Sequence, residues 1–123
     1  MAKIVLDTNI LIEILKNNLD VINKLQSLGA KYYISSISVM ELYYGALNKK
    51  ELSKLKKFVN SFEILHFDSS ISVNAIELIS KYSKSHSLHL ADAVIASTVI
   101  EYGYDLYTLN VKDFKFIDGL VLV

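Results

Sequence analysis

Asp7 follows directly on the apolar run Ile4-Val5-Leu6 and is the only charged residue between Lys3 and Glu13. So short an apolar run reads as a buried strand, and it delivers a carboxylate to the strand's end. The isolation recurs twice. Glu41 is the only charge from Tyr32 to Asn48, and Asp92 the only one from Leu90 to Ile100. A carboxylate withdrawn from water costs several kcal/mol unless something pairs it. No lysine lies close to these acids in sequence, and the chain has no arginine. Three such sites in one short chain point to a shared counter-ion from outside it, a divalent cation.

The pattern around the acids alternates strands with helices. Lys3 to Leu6 reads as a strand, and Thr8 to Lys16 as a helix stopped at Asn17-Asn18. Val21, Ile22, Leu25 and Leu28 have helical spacing, closed by Gly29. Tyr32 to Ser35 reads as a second strand, Val39 to Leu47 as a helix, and Leu52, Leu55, Val59 and Phe62 as one face of the next. Glu63 to Phe67 is strand-like, and Ile71, Ala75, Leu78 and Tyr82 mark another amphipathic helix. Leu90 to Tyr102 is apolar almost all round and belongs inside the fold. Asp105 to Thr108 is a strand, and Leu120 to Val123 an added edge strand. This order predicts an α/β fold, a three-layer α/β/α sandwich with a mostly parallel central sheet. The 123 residues, 52% of them hydrophobic, suit a single domain over residues 1–123.

In open parallel sheets, ligands collect beyond the C-terminal ends of the strands. Asp7 ends the first strand, and Asn110 and Asp113 follow the strand that ends near Thr108. Glu41 and Asp92 fall in the first turns of helices that begin at the same rim. Each acid also has a local reading. Asp7 fits a helix N-cap, Ser38-Val39-Met40-Glu41 has the form of a capping box, and Asp92 suits the positive end of a helix dipole. Capping does not explain why three acids in uncharged surroundings converge on one rim. Clustered carboxylates repel, and Mg²⁺ or Mn²⁺, which prefers oxygen ligands, relieves that repulsion. Such an ion activates water for in-line attack on a phosphodiester. Thr8, Asn9 and Thr108 sit beside the acids and are expected to hydrogen-bond ligands or water, with Ser38 as the helix cap.

The segments I-V-L-D-T-N-I-L-I, S-V-M-E-L-Y-Y-G, H-L-A-D-A-V-I-A-S and L-Y-T-L-N-V-K-D-F together resemble the four signature blocks of the PIN domain. Within that family they are most similar to VapC toxins of toxin–antitoxin pairs. The resemblance runs from residue 3 to about residue 116. It implies a metal-dependent endoribonuclease that hydrolyses RNA phosphodiester bonds, with Asp7, Glu41 and Asp92 matching the family's acids. The family often places Asp in a T-x-D slot, where this chain has Asn110 with Asp113 three residues later. Asp113 is the candidate fourth metal ligand, and Asn110 offers a carbonyl that orients water or substrate. The resemblance further implies a homodimer held inactive by a small antitoxin. Other readings of the same chain are a housekeeping PIN-domain RNA-processing nuclease and a catalytically weak module that binds RNA or protein. A phosphotransfer domain with an aspartyl nucleophile needs a second acid two residues after Asp7, and Asn9 stands there.

Thirteen lysines balance thirteen acids, so there is no global basic field and contact with a polynucleotide must be local. The one basic cluster, Lys49, Lys50, Lys54, Lys56 and Lys57, reads first as a solvated helix face and second as phosphate contacts. His66, His86 and His89 lack metal-ligand spacing, with His89 the one candidate for the site entrance. Absence of cysteine excludes disulfides and thiolate chemistry. Asp7 interrupts any signal-peptide core, and the uncharged stretch Ala93 to Ile100 is too short to span a bilayer. The expectation is a cytoplasmic protein without a membrane segment.

Overall fold

The computed structural model describes all residues 1–123. Strand β1 (Lys3–Leu6) leads into helices α1 (Thr8–Leu15) and α2 (Leu19–Leu28), and β2 (Lys31–Ser35) into α3 (Ser36–Tyr44) and α4 (Lys49–Val59). Strand β3 (Glu63–Leu65) precedes α5 (Ser69–His86) and α6 (Leu90–Tyr102), and β4 (Asp105–Tyr107) completes the sheet. A single 3₁₀ turn follows at Val111–Asp113. The order is β3-β2-β1-β4 and every pairing is parallel, with Val5 opposite Tyr33 on one side and Leu106 on the other.

Alternation along the strands sorts the core into two halves. Ile4, Leu6, Ile34 and Tyr107 pack against α1, α2 and α4 through Ile10, Leu11, Val21, Leu55 and Val59. Val5, Tyr33, Leu65 and Leu106 face the other way, onto Leu78 and Tyr82 of α5 and Ile95, Ala96 and Val99 of α6. This is the expected three-layer α/β/α sandwich. Helix α3 straddles the edge, with Leu42 in the first half and Ile37 against the second. No helix is long and apolar enough to cross a membrane.

Local signals placed most boundaries. Asn18 caps α2 by accepting from the Asp20 and Val21 amides, and Gly29 ends it at φ +57°, where a side chain is strained. The helix expected from Val39 instead begins at Ser36, because β2 reaches only to Ser35. Ser35 has extended backbone and accepts the Ile37 amide, so Ser35 rather than Ser38 is the cap. Leu120 to Val123 forms no full edge strand. It contributes a parallel bridge from Leu122 to Leu106, secured by the bonds Leu106 N–H to Val121 O and Val123 N–H to Leu106 O.

The chain steps outward from β1 to β2 to β3 and then crosses back to lay β4 on the free side of β1. The β1-to-β2 and β3-to-β4 connections cover opposite faces, so a crevice opens beyond the C-terminal ends of β1 and β4. That crevice holds the acids.

Candidate active site

Asp7 ends β1 and caps α1, its Oδ1 accepting the Thr8 amide at 2.8 Å. Its backbone amide donates to Tyr107 O, which ties it to the end of β4. Its Oδ2 accepts a 2.7 Å bond from Thr108 Oγ1 across 101 residues of sequence. The direction of that bond is determined. Thr108 Oγ1 accepts from the Asn110 amide at 3.0 Å and from Asn9 Nδ2 at 3.4 Å. With both lone pairs used, the one hydroxyl hydrogen points at Asp7. Asn9 is oriented in turn by its Oδ1, which accepts the Leu109 amide at 3.3 Å. Asp7 is only 5% exposed and Thr108 4%. Burial raises the Asp7 pKa, and repulsion from Glu41 and Asp113 adds to it, against the lowering effect of the Thr108 and Thr8 bonds.

Glu41 enters from α3 through a second relay. Thr8 Oγ1 lies 2.7 Å from Glu41 Oε1 and 2.8 Å from Ser38 Oγ. A carboxylate only accepts, so Thr8 donates to Glu41 and receives the Ser38 hydroxyl hydrogen. Ser38, fully buried, is therefore part of the site's support and not a helix cap. The capping box assumed for Ser38-Val39-Met40-Glu41 ignored that i, i+3 residues also share a helix face. That spacing was the available clue to the real role.

Asp92 sits in the first turn of α6, half-buried. Its pKa is pushed up to about 6 by burial first, then by the charges of Asp7, Asp113 and Glu41, with the His89 imidazole acting in the opposite direction. His89 is the exposed N-cap residue of α6, does not line the cleft, and makes no side-chain cap bond. Asp113 ends the 3₁₀ turn, half-buried, and its charge is felt by both Asp7 and Asp92. Asn110 is exposed and lines the cleft itself.

The cleft has a volume of about 230 Å³ and is bounded by Asp7, Thr8, Asn9, Glu41, Asp92 and Asn110, with Ile12 on one side. Ile12 is the lining residue that sequence reasoning passed over, because an isoleucine in an apolar helix carries no chemical signal. The three ion pairs of the chain are Lys16–Glu13, Lys31–Glu63 and Lys81–Asp118, so no lysine neutralises these acids. No three acidic or histidine side chains are drawn tightly enough to enclose an ion directly. The donor set still suits a hard cation bound largely through water, since Mg²⁺ keeps several waters and takes only one or two carboxylates. Asp7, Glu41 and Asp92 line the cleft, and the charge of Asp113 reaches Asp7 and Asp92.

The sequence matches the PIN domain family over residues 4–119. It is 28% identical to the "tRNA(fMet)-specific endonuclease VapC" of Shigella flexneri, over 98% of this chain and 96% of that protein. It is 34% identical to "Ribonuclease VapC1" of Rickettsia felis, over 95% and 92%. Among solved structures it resembles VapBC2 from Rickettsia felis bound to a DNA fragment from its promoter, with a TM-score of 0.84 at 29% identity over 98% of this chain and 97% of that one. Sheet order, the acids at the β1–β4 crevice and these likenesses agree: the chain belongs to the PIN-domain family, with VapC ribonucleases among its relatives.

Proposed function

We propose that this protein is a metal-dependent endoribonuclease and the toxin of a toxin–antitoxin pair. The observation that carries the reading is the gathering of Asp7, Glu41, Asp92 and Asp113, from four separate segments, into one mutually repelling cluster with no lysine paired to it. Stability alone would not select such an arrangement. When bound, Mg²⁺ or Mn²⁺ supplies an activated water and neutralises charge developing on the phosphoryl oxygens.

The chain's own residues prepare that chemistry. Thr108 and the Thr8 amide hold the two Asp7 oxygens in fixed directions. Asp92, whose ionised form is the more strained, gains most from a cation. Thr8 and Ser38 steady Glu41 at the cleft's edge. Asn110 lines the cleft, which supports a role in positioning water or substrate.

The relatives named as ribonucleases support RNA as substrate, and the VapBC complexes support an antitoxin partner. The reading includes a cytoplasmic setting and a homodimer. The homodimer is supported by an apolar groove of about 310 Å³ between α5 and α6, where Phe67, Ile76 and Leu90 are exposed. Incubation with total cellular RNA and with single-stranded DNA, followed by mapping of the ends, tests the activity. Discrete internal cuts in RNA are expected. Intact RNA in the presence of Mg²⁺ and Mn²⁺ counts against the reading.

The ambiguous fourth position is testable separately. Asp113 brings charge to Asp7 and Asp92, whereas Asn110 brings a neutral carbonyl to the cleft. Asp113→Ala is therefore expected to weaken Mn²⁺ affinity about tenfold and to slow cleavage more than Asn110→Ala. Calorimetric titration of Mn²⁺ beside cleavage rates decides the matter. Parental affinity and rate in Asp113→Ala would make Asp113 a surface acid.

A further inference from the structure

Between Thr108 and Phe114, both buried, the chain leaves the core for four exposed residues, Leu109 to Lys112. Leu109 and Val111 are 48% and 46% exposed, so little apolar burial holds this stretch. Its 3₁₀ turn closes on itself, through Asp113 N–H to Asn110 O and Phe114 N–H to Val111 O. Lys112 takes part in no ion pair. One hydrogen bond joins residues 109–112 to a distant segment. The Leu109 amide donates to Asn9 Oδ1 at 3.3 Å, across 100 residues of sequence.

A backbone amide only donates, so the Asn9 atom that faces Leu109 is the carbonyl oxygen. The side-chain NH₂ then falls on Thr108 Oγ1, at 3.4 Å. Both bonds are long, but they share one planar amide and hold two consecutive residues, where β4 ends and the exposed stretch begins. Asn9 is itself well fixed. It is the second residue of α1, two after Asp7, in a helix anchored by the fully buried Ile10 and Leu11. Beyond the grip, the chain carries Asn110 to the cleft lining and brings the charge of Asp113 to Asp7 and Asp92.

We propose that Asn9 is the positioning residue for the fourth acid. Its amide clasps the chain at Thr108 and Leu109, and so holds the Asp113 carboxylate where it shares a divalent cation with Asp7 and Asp92. The proposal rests on the metal-dependent nuclease reading above. Asn9 acts through Asp113 and touches neither the cation nor the bond broken.

Three single variants of the full protein, N9A, D113A and N18A, and the double variant N9A/D113A test it. Alanine is the better helix former, so N9A leaves α1 intact. In metal-free protein, hydrogen exchange at the Leu109 amide should quicken about tenfold or more in N9A, with the Val5 amide of β1 unchanged. Calorimetric titration of Mn²⁺ gives the coupling. N9A and D113A should each weaken affinity about tenfold, and the double variant also about tenfold, where independent effects would give about a hundredfold. At saturating Mn²⁺, N9A should lower kcat for RNA about fivefold with KM within about twofold. N18A removes the cap of α2, outside the cleft lining. It should lower the melting temperature and leave Leu109 exchange and Mn²⁺ affinity at parental values. A hundredfold loss in the double variant, parental affinity in N9A or D113A, or an N18A that matches N9A in either readout overturns the proposal. A parent protein that binds no Mn²⁺ and cuts no RNA overturns the nuclease reading, and the positioning role with it. Faster Leu109 exchange in N9A would then mark a purely structural clip.

Discussion

Asp7→Asn and Asp92→Asn each lower RNA cleavage by about 100-fold or more, a barrier increase of roughly 3 kcal/mol, because each removes a charged oxygen from the cation's surroundings. The two differ in stability. Asp92→Asn removes a charge that burial and three acids disfavour, so the metal-free protein should melt higher than the parent at neutral pH. Asp7→Asn relieves a similar cost but creates a conflict. Thr108 Oγ1 has both lone pairs engaged and can only donate toward this side chain, as does the Thr8 amide toward its other oxygen. An asparagine NH₂ must face one of these donors, which loses one hydrogen bond of about 1 kcal/mol. Its melting temperature should therefore stay near the parental value. Thermal melts of metal-free protein check both, and a loss of several kcal/mol in each variant would return these acids to a purely structural role.

The same shift predicts how stability follows pH. Asp92 holds its proton up to about pH 6 when folded, whereas an unfolded aspartate loses it near pH 4. Between these values the native state binds more protons than the unfolded state, so stability falls as pH rises and the penalty is complete above the folded pKa. For a half-buried group it amounts to about 1 kcal/mol after solvent screening. Asp92→Asn should flatten the slope.

Chelation is the second large effect. Cleavage is expected to vanish in EDTA and return with Mg²⁺ or Mn²⁺, since the carboxylates alone provide no activated nucleophile. Binding to the folded state should also raise the melting temperature, by about 2.7 kcal/mol of added stability at a hundred times the dissociation constant. That shift should shrink in Asp92→Asn, a readout independent of turnover. Undiminished cleavage in EDTA would rule out the metal mechanism.

The main chemistry was legible in the sequence because its signals are local. An apolar run ended by Asp7, an acid three residues into α6 and Gly29 after a periodic segment each declare an element and its end within a few residues. Parallel strands joined by helices then bring strand C-termini and helix N-termini to one rim. That brought Asp7, Glu41 and Asp92 to the same side before any distance was known. Sequence reasoning misplaced Ser38 because Ser35, Ser36 and Ser38 compete as caps, and only the end of pairing between β2 and β3, at Ser35 opposite Leu65, chooses among them.

What the sequence by itself determined, then, was the alternation of elements and the edge on which the acids stand, since helix and strand periods act over neighbouring residues. Tertiary structure alone decided that β4 lies beside β1, which joins Thr108 to Asp7 across the crevice and sets Asn9 and Asn110 around the same hydroxyl. It alone set a second cleft, bordered by Glu51 and Leu55 of α4, beside the acidic one, with Ile12 and Glu41 lining both. Those features depend on strand order and on hydrogen-bond geometry between residues about a hundred positions apart, which no local pattern encodes.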